Sequence, residues 1–257
     1  MGRQQIVTLA RFTLLEALRT RLLWLFVIAL GGVYGLAFFV EQLAITESAR
    51  VQIVFSAAAS RLVAVFVLSL YILTSLVREF NDKGLELTMS FDLRRSDYIL
   101  GRFAGFILIA VLLALIAGLP QFFLAPLPAA LQWSSSLALE LAIVTALSLF
   151  CVMTFTQLMP AASFVAGFYL LARTLSAIRL ISDTSVVGYN PTSREIMGWL
   201  VDTLALVLPA LDRFSQSAWL VDGAAGWTAV GACALQAALY ATLLIAAAMF
   251  DFYRRNL

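Results

Sequence analysis

Histidine is missing from this 257-residue chain. That absence removes Ser-His and Cys-His nucleophile pairs, imidazole metal sites and histidine proton shuttles together. Cysteine is nearly missing too: Cys151 and Cys233 both sit in apolar runs without CxxC spacing, which fits small buried hydrophobes better than a disulfide or a metal site. Lysine occurs once, at Lys83, with no glycine-rich run before it and no Ser or Thr directly after it, so the chain offers no Walker A loop. Charge is scarce, at 12% of residues, where an ordinary soluble domain has about 25%. The net charge of +2 is too small to imply a nucleic-acid partner.

What is present is apolar. Hydrophobic residues make up 62% of the chain, more than a soluble globule can hide, which makes the lipid bilayer its natural solvent. The expected class is an all-α integral membrane protein with six transmembrane helices in a single domain, at 22–40, 57–77, 98–124, 138–159, 161–181 and 226–250. The first run is 19 residues without a charge, enough to cross a core of about 30 Å. It is too long for a signal-peptide core and no small-residue cleavage site follows it, so it reads as a retained span. Arg61 should mark the outer edge of the second span by snorkelling. The uncharged run 103–139 exceeds one span, and Pro120, Pro126, Pro128 and Ser134 to Ser136 should divide it into a span and a loop. Pro160, Ala161 and Ala162 should form a tight turn between the fourth and fifth spans.

Two segments are amphipathic. In 1–21, Val7, Ala10, Leu14 and Leu18 share one helical face and Gln4, Thr8, Arg11 and Arg19 another, which suits a helix lying in the membrane interface or a soluble cap on the first span. Between spans five and six, Ile196, Leu200, Thr203 and Val207 recur at helical spacing, so this outer segment reads as an amphipathic helix and not a span. With six spans both termini share a side. Placing them and the polar stretch 78–102, which contains the 78–97 loop, in the cytoplasm puts 11 of the 17 basic residues there, as the positive-inside rule requires.

That loop belongs to the most polar stretch of the chain, 78–102. Read as a helix, Glu79, Asp82, Lys83 and Glu86 line one face and Phe80, Gly84, Leu87 and Phe91 the opposite one, with Arg94 and Arg95 as a second charged cluster. On the residues alone this fits either a docking element or a solvated loop whose apolar side chains return to the headgroups.

Glu79, Gly84, Glu86, Ser90, Arg95, Tyr98, Gly101 and Arg102 occur in an order that resembles the cytoplasmic loop of ABC-2 type transporter permeases. The resemblance extends to the whole topology and to the 208–214 run followed by Trp219, and within the family it is nearest in kind to the permeases serving nitrous oxide reductase maturation. Asp92 departs from the pattern, standing where the family commonly carries proline. The resemblance implies a coupling helix in 78–97 that docks into a separate ABC ATPase, present in two copies and carrying the ATP and magnesium. The docking residues would be Glu79, Phe80, Asp82, Lys83, Gly84, Glu86, Leu87, Phe91, Arg94 and Arg95. It further implies a bacterial inner-membrane exporter subunit that is not itself an enzyme, paired with a second permease copy and open to a periplasmic accessory protein.

No catalytic or metal-ligating set is legible. Arg173, in the fifth span, either snorkels to the outer surface or meets Glu140 at similar depth, as a buried pair or as part of a substrate path. Gly31 and Gly35 permit close helix approach, which suits a subunit interface. The alternatives to a permease are a secondary transporter, which needs intramembrane acids, an intramembrane enzyme, and a membrane scaffold for assembling another complex.

Overall fold

The computed structural model describes residues 2–43, 47–82, 94–183, 198–199, 201–204 and 207–254. Lys83, Gly84, Glu86, Leu87 and Phe91 of the expected docking loop, and Ile196 and Leu200 of the outer segment, lie outside them. The elements are α1 (Gly2–Arg19), α2 (Leu22–Leu43), α3 (Ser48–Asn81), α4 (Arg95–Gly118), the short α5 (Gln121–Leu124), α6 (Leu127–Phe155), α7 (Leu158–Asp183), a 3-10 turn (Leu211–Arg213), α8 (Ala218–Asp222) and α9 (Trp227–Arg254). No strand occurs among the described residues. Six of the helices are long and apolar enough to cross a membrane. The chain is an all-α protein of multi-pass membrane character.

α6 is the axis of the bundle. Of its most apolar stretch 72% is buried, against 22% for α2 and for α9, and α3, α4, α7, α8 and α9 all pack around it. A helix enclosed in this way can carry polar residues, because its neighbours supply partners that hydrocarbon cannot. Accordingly Gln132, Ser134, Ser136, Glu140, Thr145 and Ser148 are all buried along it.

The helix bounds correct several expectations. α6 starts at Leu127, with Pro126 at its N-cap and Pro128 in its first turn, where proline costs nothing because those amides are unpaired in any helix. Ser134 to Ser136 are therefore helical and not a loop, and the Ser134 hydroxyl donates to the Ala130 carbonyl at 2.8 Å. The turn into the next helix falls at Thr156, in the left-handed region at φ 56°, while Pro160 lies in the first turn of α7. α3 begins at Ser48, so Arg61 is not at an edge: it is 8% exposed, deep within the helix.

Between helices surrounded by lipid, close packing replaces the hydrophobic effect as the source of association, and small residues make it possible. One such close approach is between α1 and α4. A Cβ added at Gly101 would lie 2.8 Å from Leu9 Cδ2, and one at Gly105 would lie 2.6 Å from Thr13 Cβ and 3.0 Å from the Ala10 carbonyl oxygen. Ala10, Thr13 and Ala17 are the buried face of α1. Gly31 and Gly35, by contrast, meet nothing within 4 Å in this chain.

Gly105→Ala must therefore push α1 away from α4 and should destabilise the bundle by about 1–3 kcal/mol. Gly167→Ala, at a position with nothing within 4 Å, serves as the control and should be neutral or mildly stabilising. Thermal unfolding of both variants in detergent measures the difference.

Candidate functional site

Two buried charge clusters stand at opposite ends of the bundle. The first is built on Arg102, about two turns into α4, whose side chain is 5% exposed. Its Nη1 donates to Thr13 Oγ1 at 3.1 Å and to Glu16 Oε2 at 3.2 Å, and its Nη2 donates to Glu79 Oε2. Glu16 Oε1 accepts from the Ser75 hydroxyl at 3.1 Å. The guanidinium also lies over the Tyr98 ring, 6.0 Å from its centroid. Three helices meet here: Thr13 and Glu16 come from α1, Ser75 and Glu79 from α3, Tyr98 and Arg102 from α4. A guanidinium buried this deeply needs charged partners, and two carboxylates from separate helices supply them.

This places Glu79 differently from the docking face expected of it. Its side chain is 13% exposed and turned into the bundle, because α3 continues through Asn81 and carries it past Arg102. Phe80 packs against the core. Arg95 is also turned inward: its Nη1 donates to the carbonyls of Phe252 (3.1 Å) and Tyr253 (3.3 Å), and its guanidinium lies 5.7 Å from the Phe252 ring centroid. It thus caps the C-terminal end of α9, where unpaired carbonyls and the helix dipole favour a cation. Asp82 and Arg94 remain at the surface, Asp82 facing Arg78 at 3.4 Å.

The second cluster gathers around Ser215 and Glu140. Arg173 Nη1 lies 3.4 Å from Glu140 Oε1 and donates also to the carbonyls of Leu211 and, at 2.9 Å, Phe214. Glu140 is fully buried and accepts further hydrogen bonds from the Tyr169 hydroxyl, at 2.8 Å, and from the Ser215 hydroxyl. Ser215 has a left-handed backbone, φ 40°, a conformation held by what surrounds it. Its amide donates to Ser136 Oγ at 3.0 Å, and its carbonyl accepts from Arg61 Nη1 at 3.0 Å and Trp133 Nε1 at 3.1 Å. Glu140 and Arg173 are therefore a buried pair whose remaining bonds clamp the 211–215 segment onto α6 and α7, while Arg61 ties it to α3. A half-exposed ion pair, Arg50 to Asp222 at 2.9 Å, ties α8 to the start of α3 as well.

Sequence reasoning singled out Glu79, Arg95, Arg102, Glu140 and Arg173 but missed Thr13, Glu16, Arg61, Tyr169 and Ser215 as their partners. Glu16 and Arg61 carried a usable signal, each being a charge set directly between apolar or small residues. Ser215 carried none. Among the described residues no group of three or more Cys, Asp or Glu is placed to hold a metal, and both cysteines are buried and free. The chain matches no protein-family model and no curated protein.

Arg102→Leu should cost about 3–5 kcal/mol, since it strands two carboxylates in the bundle. The double variant R102L/E79Q should recover part of that loss, a positive coupling that a double-mutant cycle on detergent unfolding would read. At the other end, Glu140→Gln should free the 211–215 segment: hydrogen exchange at those amides should rise by at least an order of magnitude while α4 stays protected. Unchanged exchange would show that the carboxylate is not what holds the segment.

Proposed function

We propose that the chain is the membrane-spanning permease subunit of an ABC-2 type ATP-binding cassette exporter, driven by ATP that a separate ATPase hydrolyses with its magnesium. The observation that carries this reading is the anchoring of the 83–93 segment at both ends. On one side Glu79 is bound to Arg102, and on the other Arg95 is bound to the end of α9. A push that a docked protein delivers to that segment would pass through Glu79 and Arg95 to α1, α3, α4 and α9. Glu79 and Arg95 then transmit, while Asp82, Lys83, Glu86 and Arg94 make the contact.

In this reading the end of the bundle that carries α1, the 83–93 segment and the C-terminus is cytoplasmic, as the basic residues there favour. The chain sits in a bacterial inner membrane. Two ATPases serve two permease copies, and the second copy packs on the exposed Gly31 and Gly35 face of α2. The 208–222 segment, clamped at the opposite end, faces the periplasm and any accessory protein there. Glu140 bears on the alternative of a secondary transporter. Such a protein needs an acid free to exchange an ion, and both oxygens of Glu140 are held by Tyr169, Ser215 and Arg173.

The test is co-expression with candidate ATPases. Glu86→Lys with Arg94→Glu should abolish co-purification while leaving the unfolding midpoint unchanged. Glu79→Gln should retain the ATPase but lower its stimulated turnover, because the contact survives and the transmission does not. Uptake or export by this chain alone in liposomes, driven by an ion gradient, would sink the reading.

A further inference from the structure

We propose that the elbow between α1 and α2 is a binding site for one anionic phospholipid. A cavity of about 460 Å³ opens there, between the elbow and the last turns of α3. Its rim is cationic. Arg21 stands in the elbow itself and Arg78 faces it from α3. Among the described residues Arg21 has no ion-pair partner. Arg78 shares only the exposed pair with Asp82, a contact of little strength in solvent. Glu16 also lines the cavity, but both its oxygens are taken, one by Ser75 and the other by Arg102. The rim therefore presents two arginines against one carboxylate, and that carboxylate is itself turned to Arg102.

Beneath the rim the walls turn apolar, with Leu25 from α2 facing Val67 and Leu70 from α3. Leu25 and Leu70 are 59% and 48% exposed, so the slot opens on the outside of the bundle, where acyl chains lie. From Val67 to Arg78 the helix rises about 16 Å, the depth of a headgroup and the upper part of a chain. A second recess, lined by Phe12, Leu15 and Arg19, shares Glu16 and Thr20 with the first and adds another arginine beside the same elbow. A free phosphate would engage only the rim, and a zwitterionic lipid would bring its own cation to a site that already has cations. A phosphate ester carrying net negative charge and a hydrocarbon tail uses both parts. Basic pockets between membrane helices recognise lipid headgroups by this combination. The proposal stands independently of the transport reading.

The full chain in detergent micelles is titrated with dioleoylphosphatidylglycerol, dioleoylphosphatidylcholine or glycerol 3-phosphate, with thermal unfolding as one readout and native mass spectrometry as the other. Phosphatidylglycerol should raise the midpoint and leave one lipid bound per chain; the other two should do neither. R21Q/R78Q, at two exposed positions that should not impair folding, should weaken phosphatidylglycerol binding about fivefold for each arginine removed. Leu70→Trp, which fills the slot and leaves the rim intact, should weaken it too. An equal response to phosphatidylcholine, a full response to glycerol 3-phosphate, or an unchanged response in R21Q/R78Q would overturn the proposal.

Discussion

An arginine held inside a bundle that is itself surrounded by hydrocarbon sets the terms for everything around it. Insertion alone costs about 2.5–3.5 kcal/mol, and a guanidinium presents five donors that the interior must meet. Arg102 meets part of this demand with two carboxylates and a threonine hydroxyl drawn from α1 and α3, while its buried Nε has no partner among the described residues. Arg61 and Arg173 meet it mainly with backbone carbonyls of the 211–215 segment. The two solutions differ in consequence. Carboxylates on helices fix helices to one another. Carbonyls in a segment that has only a single 3-10 turn of its own fix that segment in place.

The charges could not reach their partners without close backbones. Glu16 and Thr13 lie within reach of Arg102 because Gly101 and Gly105 let the side chains of Leu9 and Thr13 on α1 sit directly against the α4 backbone. The glycines and the arginine are thus one device: the first brings the helix in, and the second holds it there. On the far side, Gly118 does the same for α4 and α6, since a Cβ there would lie 2.1 Å from Ser134 Oγ.

The six apolar helices were legible because each needs an uninterrupted run, and such runs are visible without knowing the neighbours. Their ends were less so. The start of α6 was missed because proline and serine clusters read as loops in water, whereas Pro128 fits a first helical turn and Ser134 bonds back to its own helix. Arg61 was misread for a related reason: a charge in an apolar run marks an edge only if nothing polar lies beside it, and Ser215, far along the chain, does lie beside it. Glu140 and Arg173 could be placed at one depth from the span pattern alone. The Glu79–Arg102 pair could not, because the intervening loop hides how the end of α3 meets the start of α4, and an exposed acidic face was the simpler reading.

α3 belongs to both clusters. It carries Arg61 onto Ser215 near its middle and Glu79 onto Arg102 near its C-terminal end, 18 residues apart and so separated by about 27 Å along a single helix. Any rotation or slide of α3 large enough to break one set of bonds disturbs the other. Through them α1, α4, α6 and α7 are bound to the same rod. The helices that share least in this arrangement are α2 and α9, each with only 22% of its apolar stretch buried, and of these α9 is tied at its end by Arg95. α2 is joined to the rest by packing on α3 and by the hydrogen bond from Gln121 to the Tyr34 hydroxyl, at 3.0 Å. At the face of α2 the exposed glycines leave room for another helix, beside the cavity at its first turns.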